Sequence, residues 1–144
     1  MVIKTYSQIK SIVEDNNESD IDNSVIVCLI WKESGFNPDI KSNQSNSSAT
    51  GLMQITKTAV KEVNRVRKTN YNHDDMTNPE LNVEVGTTYL DVFMKRFGQK
   101  LERALDAYGT GSPYHKSIID CSDCIKALKD GTSNPTECLL KIHK

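Results

Sequence analysis

Apolar residues recur along the chain at helical spacing, with little that alternates as a strand would. Tyr6, Ile9, Ile12 and Val13 mark one face of a first helix, which runs out in the acidic, Asn-rich stretch Glu14 to Asp20. Asp22, Asn23 or Ser24 can cap a second helix carrying Val25-Ile26-Val27-Cys28-Leu29-Ile30-Trp31 and then Lys32-Glu33. That run is apolar on every side, so this helix is expected to be the buried central one. Gly35 can stop it, and Pro38 cannot continue it.

Positions 37 to 50 are polar and turn-rich, which predicts a loop or a small irregular β-hairpin. Thr56 is placed to cap a third helix that uses Ala59, Val60, Val63 and Val66. After a second polar loop, Lys68 to Asn78, Pro79 suits the first turn of a fourth helix. Leu81, Val85, Tyr89, Val92 and Phe97 lie on one side of it, and Gly98 ends it. Leu101, Ala104, Leu105 and Tyr108 predict a fifth helix that breaks at Gly109-Thr110-Gly111. Tyr114, Ser117, Ile118, Cys121, Cys124, Ile125 and Leu128 predict a sixth, and Pro135 opens a short last one through Cys138, Leu139 and Ile142. The expectation is a mainly α fold of six to seven short helices with at most a small β-hairpin. No repeat or linker divides residues 1–144, so the chain reads as a single domain.

Composition narrows the function. Hydrophobic residues make up 37% of the 144 positions and charged residues 26%, which suits a packed core rather than disorder. Lys and Arg number 18 against 19 Asp and Glu, a formal charge of -1. A nearly neutral chain has no electrostatic reason to gather on nucleic acid or anionic lipid. The longest apolar run, Val25 to Trp31, is far short of the ~20 residues that span a bilayer. Nucleic-acid partners and membrane insertion are therefore not expected. The N-terminal stretch alternates polar and apolar residues without the apolar region of a secretory signal.

Glu33 is the first candidate for chemistry. A carboxylate directly after an apolar run, at the end of a buried helix, loses hydration, which favours its protonated form and suits a general acid. From position alone a solvated helix-end residue fits as well.

The surrounding text decides between them. Glu33-Ser34-Gly35-Phe36-Asn37-Pro38, then Gly51-Leu52-Met53-Gln54, then Asn78-Pro79-Glu80-Leu81-Asn82, then Ala107-Tyr108 before a Gly-rich turn, closely resemble the soluble lytic transglycosylase family. That family belongs to the goose-type, lysozyme-like group of peptidoglycan-cleaving enzymes. The resemblance runs from about Val25 to Gly111, some three-fifths of the chain, with 112–144 as a helical, cysteine-containing extension.

The resemblance implies a lysozyme-like fold with helices around a cleft. It implies cleavage of the β-1,4 bond between N-acetylmuramic acid and N-acetylglucosamine, without metal or cofactor. In this family one Glu does both proton transfers, and the product ends in 1,6-anhydro-N-acetylmuramic acid. Glu33 matches that acid, and Ser34 matches the Ser beside it, although a helix-end hydroxyl has a structural reading too. Gln54 matches an amide that faces the sugar. Met53 is grouped with the cleft, although like Leu52 it suits packing better. Tyr108 matches a Tyr expected to place its hydroxyl near the acid. The family's Asn after that Tyr is Gly109 here, which removes an amide from the cleft wall. Between Phe36 and Gly51 the only acidic residue is Asp39, directly after Pro38 where a turn residue is expected, so a lone catalytic Glu is the better reading. A hydrolytic lysozyme and a wall-binding module without catalysis are the alternatives.

Cys28, Cys121, Cys124 and Cys138 allow three full pairings. Cys121-x-x-Cys124 suggests zinc, but no fourth ligand is convincingly placed, and His73, His115 and His143 read as surface residues. Cysteines three apart on one helix rarely reach disulfide geometry. If the last two helices fold back across Lys129 to Asn134, Cys124 and Cys138 lie opposite each other. That bridge is expected, at about 3 kcal/mol, with Cys28 and Cys121 left as buried thiols or, less favoured, a second bridge. A bridge implies an oxidising destination such as the periplasm. The partner is then peptidoglycan, reached through a specialised secretion system or phage delivery. An immunity or inhibitor protein is the further partner an antibacterial effector has.

Overall fold

A computed structural model describes residues 3–42, 47–128 and 134–142. It consists of α1 (Tyr6–Asn16), α2 (Asn23–Ser34), α3 (Lys57–Arg67), α4 (Pro79–Arg96), α5 (Leu101–Tyr108), α6 (Tyr114–Lys126) and α7 (Thr136–Leu139), with a 3₁₀ turn at His73–Asp75. The helices start where local chemistry starts them. Thr5 accepts from the Gln8 N–H at 3.1 Å while the Gln8 side chain accepts from the Thr5 N–H at 2.9 Å, a reciprocal cap for α1. Asp22 caps α2 through the Ser24 N–H at 2.9 Å. Thr56 and Asn78 do the same for α3 and α4, with Pro79 in the first turn. No helix among the described residues is long and apolar enough to cross a membrane.

α2 is the axis of the core. Val25 through Ile30 are all buried, and the whole hydrophobic cluster surrounds them. Each such side chain contributes about 1.5–3 kcal/mol. Gly35 ends the helix at φ 60°, a left-handed conformation that glycine adopts without steric cost. α2 packs most extensively against α6, and α4 against α5. The Ser24 and Ser122 hydroxyls meet at 2.6 Å across the first of these interfaces.

The polar stretch after α2 carries antiparallel bridges Lys41–Thr50 and Thr50–Ile55 rather than a regular hairpin; its residues 43–46 lie outside the described ones. Its C-terminal part is fixed by Asn82, a fully buried residue of α4. The Asn82 carboxamide oxygen accepts from the Met53 N–H at 2.8 Å, and its nitrogen donates to the carbonyls of Thr50 at 2.9 Å and Met76 at 2.8 Å. Backbone polar groups in a turn cannot be buried without such partners. At Gly51, φ is +80° and a Cβ would fall 2.3 Å from the Met76 carbonyl oxygen, so a side chain is excluded there twice over. At Gly86 a Cβ would lie 2.3 Å from the Met53 sulfur, so α4 has its glycine where the turn presses closest.

Four expectations need correction. Val66 is 44% exposed rather than part of the α3 core face, because α3 ends one residue later and its buried side is complete with Val63. His73 is half-buried, its Nε2 in hydrogen-bonding distance of the Ser48 carbonyl (2.8 Å) and the Ile55 carbonyl (3.0 Å). His115 is half-buried as well, paired with Asp106 at 2.9 Å; His143 lies outside the described residues. Cys28 and Cys121 are bonded to each other rather than left as thiols. The less favoured expectation, a second bridge, is thus the one found; the sequence could not favour it, because the pair depends on α6 returning across α2 after 93 residues.

The expected bridge Cys124–Cys138 is present and links α6 to α7; residues 129–133 between them lie outside the described ones. Both cysteines of the C-x-x-C spacing thus bond to partners elsewhere, which removes the thiolates that the zinc reading needs. Non-reducing peptide mapping is predicted to recover both linked pairs. A Cys124→Ser, Cys138→Ser double variant is predicted to lose about 3 kcal/mol, seen as a Tm fall of about 10 °C. Unlinked peptides at these positions, or an unchanged Tm, contradict the pairing.

Candidate active site

Glu33 is the next-to-last residue of α2, half-buried, where the apolar helix meets the Gly35 turn. Burial raises its pKa above the usual carboxylate value. The hydrogen bond from Tyr114 and the positive charge of Lys32 pull the other way without cancelling that rise. The charge acting on Glu33 is thus a lysine's, not a second carboxylate's, and Asp39 is an exposed turn residue.

Tyr114 was missed by the sequence analysis as a site residue; it entered only as a core position of the sixth helix. It is the first residue of α6, 6% exposed, and its hydroxyl donates to Glu33 Oε2. Its own proton is held firmly, because burial and the neighbouring carboxyl both raise its pKa. The turn leading into it is fixed by Asp106, whose carboxylate accepts from both the backbone N–H and the ring of His115 at 2.9 Å. Gly109 explains why the Tyr114 ring fits: a Cβ there would lie 2.2–2.3 Å from three ring carbons. The amide missing from the cleft wall at position 109 is thus replaced by an aromatic ring. The available signal was an aromatic residue at the start of a helix, separated by two residues from the Gly109-Thr110-Gly111 break.

Tyr108, expected to reach the acid, instead donates to the Met53 carbonyl at 2.6 Å. It is still close enough for the Glu33 charge, second to burial, to raise its pKa. Its bond locks the end of α5 onto the turn that Asn82 holds from the other side. Met53 is fully buried against Gly86, so the cleft contact assigned to it is replaced by a core role. Ser34 is 7% exposed and its hydroxyl donates to the Ile30 carbonyl at 3.0 Å within α2, the helix-end arrangement rather than an outward contact.

Gln54 sits at φ 53°, a conformation non-glycine residues seldom adopt. Its Nε2 donates to the Ile40 and Gly51 carbonyls, each at 3.1 Å. This side chain lines a cavity of 140 Å³ together with Thr56, Tyr89 and Tyr108. Tyr89 continues into a neighbouring cavity of 250 Å³ with Glu62, Phe93 and Arg96, giving an aromatic-walled groove along α3 and α4. Hydroxyl and amide groups between aromatic faces suit a sugar, which offers both polar edges and apolar faces. The structure therefore pairs Glu33 with Tyr114, puts Tyr108 within reach of the Glu33 charge, sets Gln54 beside Tyr108 in the groove, and turns Ser34 and Met53 inward.

The profile of the Transglycosylase SLT domain family matches residues 10–121, a wider span than the motifs between Val25 and Gly111. Membrane-bound lytic murein transglycosylase E of Buchnera aphidicola subsp. Acyrthosiphon pisum (strain APS) is 33% identical over 84 residues, 56% of this chain and 37% of that protein. Soluble lytic murein transglycosylase of Salmonella typhimurium (strain LT2) is 34% identical over 94 residues, 64% of this chain and 14% of that protein. The chain thus spans well under half the length of the curated relatives it matches. Among solved structures, the 70 kDa soluble lytic transglycosylase of Escherichia coli superposes with a TM-score of 0.62 at 20% identity, covering 91% of this chain and 22% of that one. A 70-kDa soluble lytic transglycosylase in complex with bulgecin A gives the same TM-score of 0.62 at 23% identity, over 78% of this chain and 18% of that one. These superpositions establish the lysozyme-like fold, and the profile match establishes that the chain belongs to the Transglycosylase SLT domain family.

Proposed function

We propose that this chain cleaves the β-1,4 bond between N-acetylmuramic acid and N-acetylglucosamine in peptidoglycan, leaving a 1,6-anhydro end. The observation that carries the reading is a half-buried carboxyl with a raised pKa, Glu33, hydrogen-bonded by Tyr114 and within electrostatic reach of Tyr108, which lines the Gln54 groove. Burial keeps Glu33 protonated further up the pH scale than an ordinary carboxyl, so it can protonate the departing glycosidic oxygen. Bond cleavage leaves positive charge at C1 of the muramic acid and a carboxylate on Glu33, stabilised by the Tyr114 hydroxyl and Lys32. The carboxylate then takes the proton of the same sugar's 6-hydroxyl. That oxygen closes on C1, and the acid returns to its starting state without consuming water. A hydrolytic route ordinarily uses a second carboxylate as nucleophile or to activate water, and Asp39 stands exposed in a turn.

Two disulfides suit action in an oxidising compartment such as the periplasm. An antibacterial effector, with a cognate immunity protein as partner, and a phage-type lytic enzyme both reach that wall. Toxicity that requires a holin marks the phage-type route, and protection by an immunity protein marks the effector.

Digestion of purified sacculi tests the chemistry. Wild type is predicted to release anhydro-ended muropeptides, and Glu33→Gln to be slower by a factor of at least about 10². Products heavier by one water mark a hydrolase. Release by Glu33→Gln at the wild-type rate removes Glu33 from the mechanism, and binding without release by wild type marks a wall-binding module.

The pH profile tests the Tyr114 contact. Because Glu33 must start protonated, kcat/KM is predicted to fall as pH rises through its raised pKa. The Tyr114 bond favours the carboxylate, so Tyr114→Phe is predicted to move that alkaline limb to higher pH while lowering kcat about tenfold. Gly109→Ala, whose Cβ would fall on the Tyr114 ring, is predicted to act in the same direction. A limb that stays in place in Tyr114→Phe contradicts the contact.

A further inference from the structure

The residue that precedes α6 cannot cap it. Pro113 has no side-chain acceptor to offer the helix, yet the first backbone N–H groups of a helix need partners from outside it. Those of Tyr114 and Lys116 reach the carbonyls of Gly111 at 2.9 Å and Pro113 at 3.0 Å. The N–H of His115, between them, is taken by the carboxylate of Asp106 on α5 at 2.9 Å. That carboxylate also lies 2.9 and 3.1 Å from His115 Nδ1, through its two oxygens. The Asp106 carbonyl accepts in turn from the Gly111 N–H at 2.9 Å. One residue of α5 thus ties down the turn before α6 and caps α6 from a distance. Its negative charge faces the positive end of a 13-residue helix, where an anion is favoured.

Tyr114 directly precedes His115, and its hydroxyl is the group that donates to Glu33. A rigid ring carries its hydroxyl wherever the backbone beneath it goes, and a hydrogen bond weakens steeply once its direction is lost. Gly109 leaves room for the ring, and Asp106 sets the place where the ring is attached. We propose that Asp106 is a positioning residue for the cleavage reaction: through its grip on His115 it fixes the first turn of α6, and so holds the Tyr114 hydroxyl on Glu33. The proposal deepens the reading of the preceding section and rests on it. It gives α5 two tasks, since Tyr108 braces the turn that carries Gln54 while Asp106, two residues earlier, sets the donor to the acid.

NMR titration of the Glu33 carboxyl reads this contact without any cleavage. In Asp106→Asn the Glu33 midpoint is predicted to rise, as it does in Tyr114→Phe, because a bond that favours the carboxylate is loosened. The direction separates positioning from other effects. Removing a nearby negative charge, or opening the site to water, lowers the midpoint instead. A variant that is only less stable melts earlier and leaves the midpoint in place. The other groups that exchange charge effects with Glu33, Lys32 beside it on α2 and Tyr108 on α5, are untouched by these substitutions. In a Tyr114→Phe background Asp106→Asn is predicted to add no further rise, since the bond it positions is already gone. His115→Ala, which removes the ring but keeps the backbone N–H, is predicted to shift the midpoint the same way by a smaller amount. On sacculi, kcat of Asp106→Asn is predicted to fall about threefold, part of the loss expected for Tyr114→Phe, with KM little changed. A Glu33 midpoint that stays in place or falls in folded Asp106→Asn overturns the positioning role, as does a further rise in the Tyr114→Phe background. A midpoint that rises in a protein that cuts no peptidoglycan supports the grip on Tyr114 and removes the proposed activity instead.

Discussion

The packing of α2 against α6 is the constraint on which the rest of the molecule depends. α2 delivers Glu33 at its C-terminal end, and α6 delivers Tyr114 at its start, so the acid and its hydrogen-bond donor come from opposite ends of two adjacent helices. The pair is held at three levels: apolar burial of Val25 through Ile30, the Ser24–Ser122 contact, and the Cys28–Cys121 bridge. In the chain-entropy account a bridge spanning 93 residues is worth about 4–5 kcal/mol by restricting the unfolded state. The same close packing removes water from Glu33 and raises its pKa, so stability and acid strength at this position share one origin.

The wall that carries Gln54 is built differently, from a turn whose Leu52, Met53 and Ile55 fill the core while its backbone is held by neighbouring helices. Asn82 satisfies three backbone groups of the turn and its surroundings, and Tyr108 takes the Met53 carbonyl, so the segment carrying Gln54 is held from α4 and α5 at once. Gly51 and Gly86 allow that approach by leaving out side chains that would collide. A rigid frame of this kind is what a groove needs if sugar orientation is to come from the protein rather than from the ligand.

Much of this could be read from the sequence. Apolar spacing and capping residues located all the helices, because each rests on short-range chemistry: Asp22 and Thr56 cap, Gly35 stops, Pro79 starts. The motif around Glu33 pointed to it as the candidate acid, and a carboxylate at the end of an apolar run already implied the raised pKa found there. What could not be read depends on how the chain returns on itself. The Cys28–Cys121 bridge and the Tyr114 hydroxyl both require α6 to lie across α2, which no local pattern encodes. Ser34, Met53 and Tyr108 were located within the right segments, but the sequence could not say which way a side chain turns. Ser34 bonds within its own helix, Met53 fills the core, and Tyr108 braces the turn. Gly109 read as a loss of a sugar contact, whereas in the fold it is the space that the Tyr114 ring occupies.

An NMR titration of the Glu33 side-chain carboxyl tests the central claim most directly. The account predicts that Glu33 loses its proton clearly above the ordinary glutamate value of about 4.3. A midpoint at or below that value contradicts it, because the carboxyl is then solvated or its charge stabilised too well to serve as the acid.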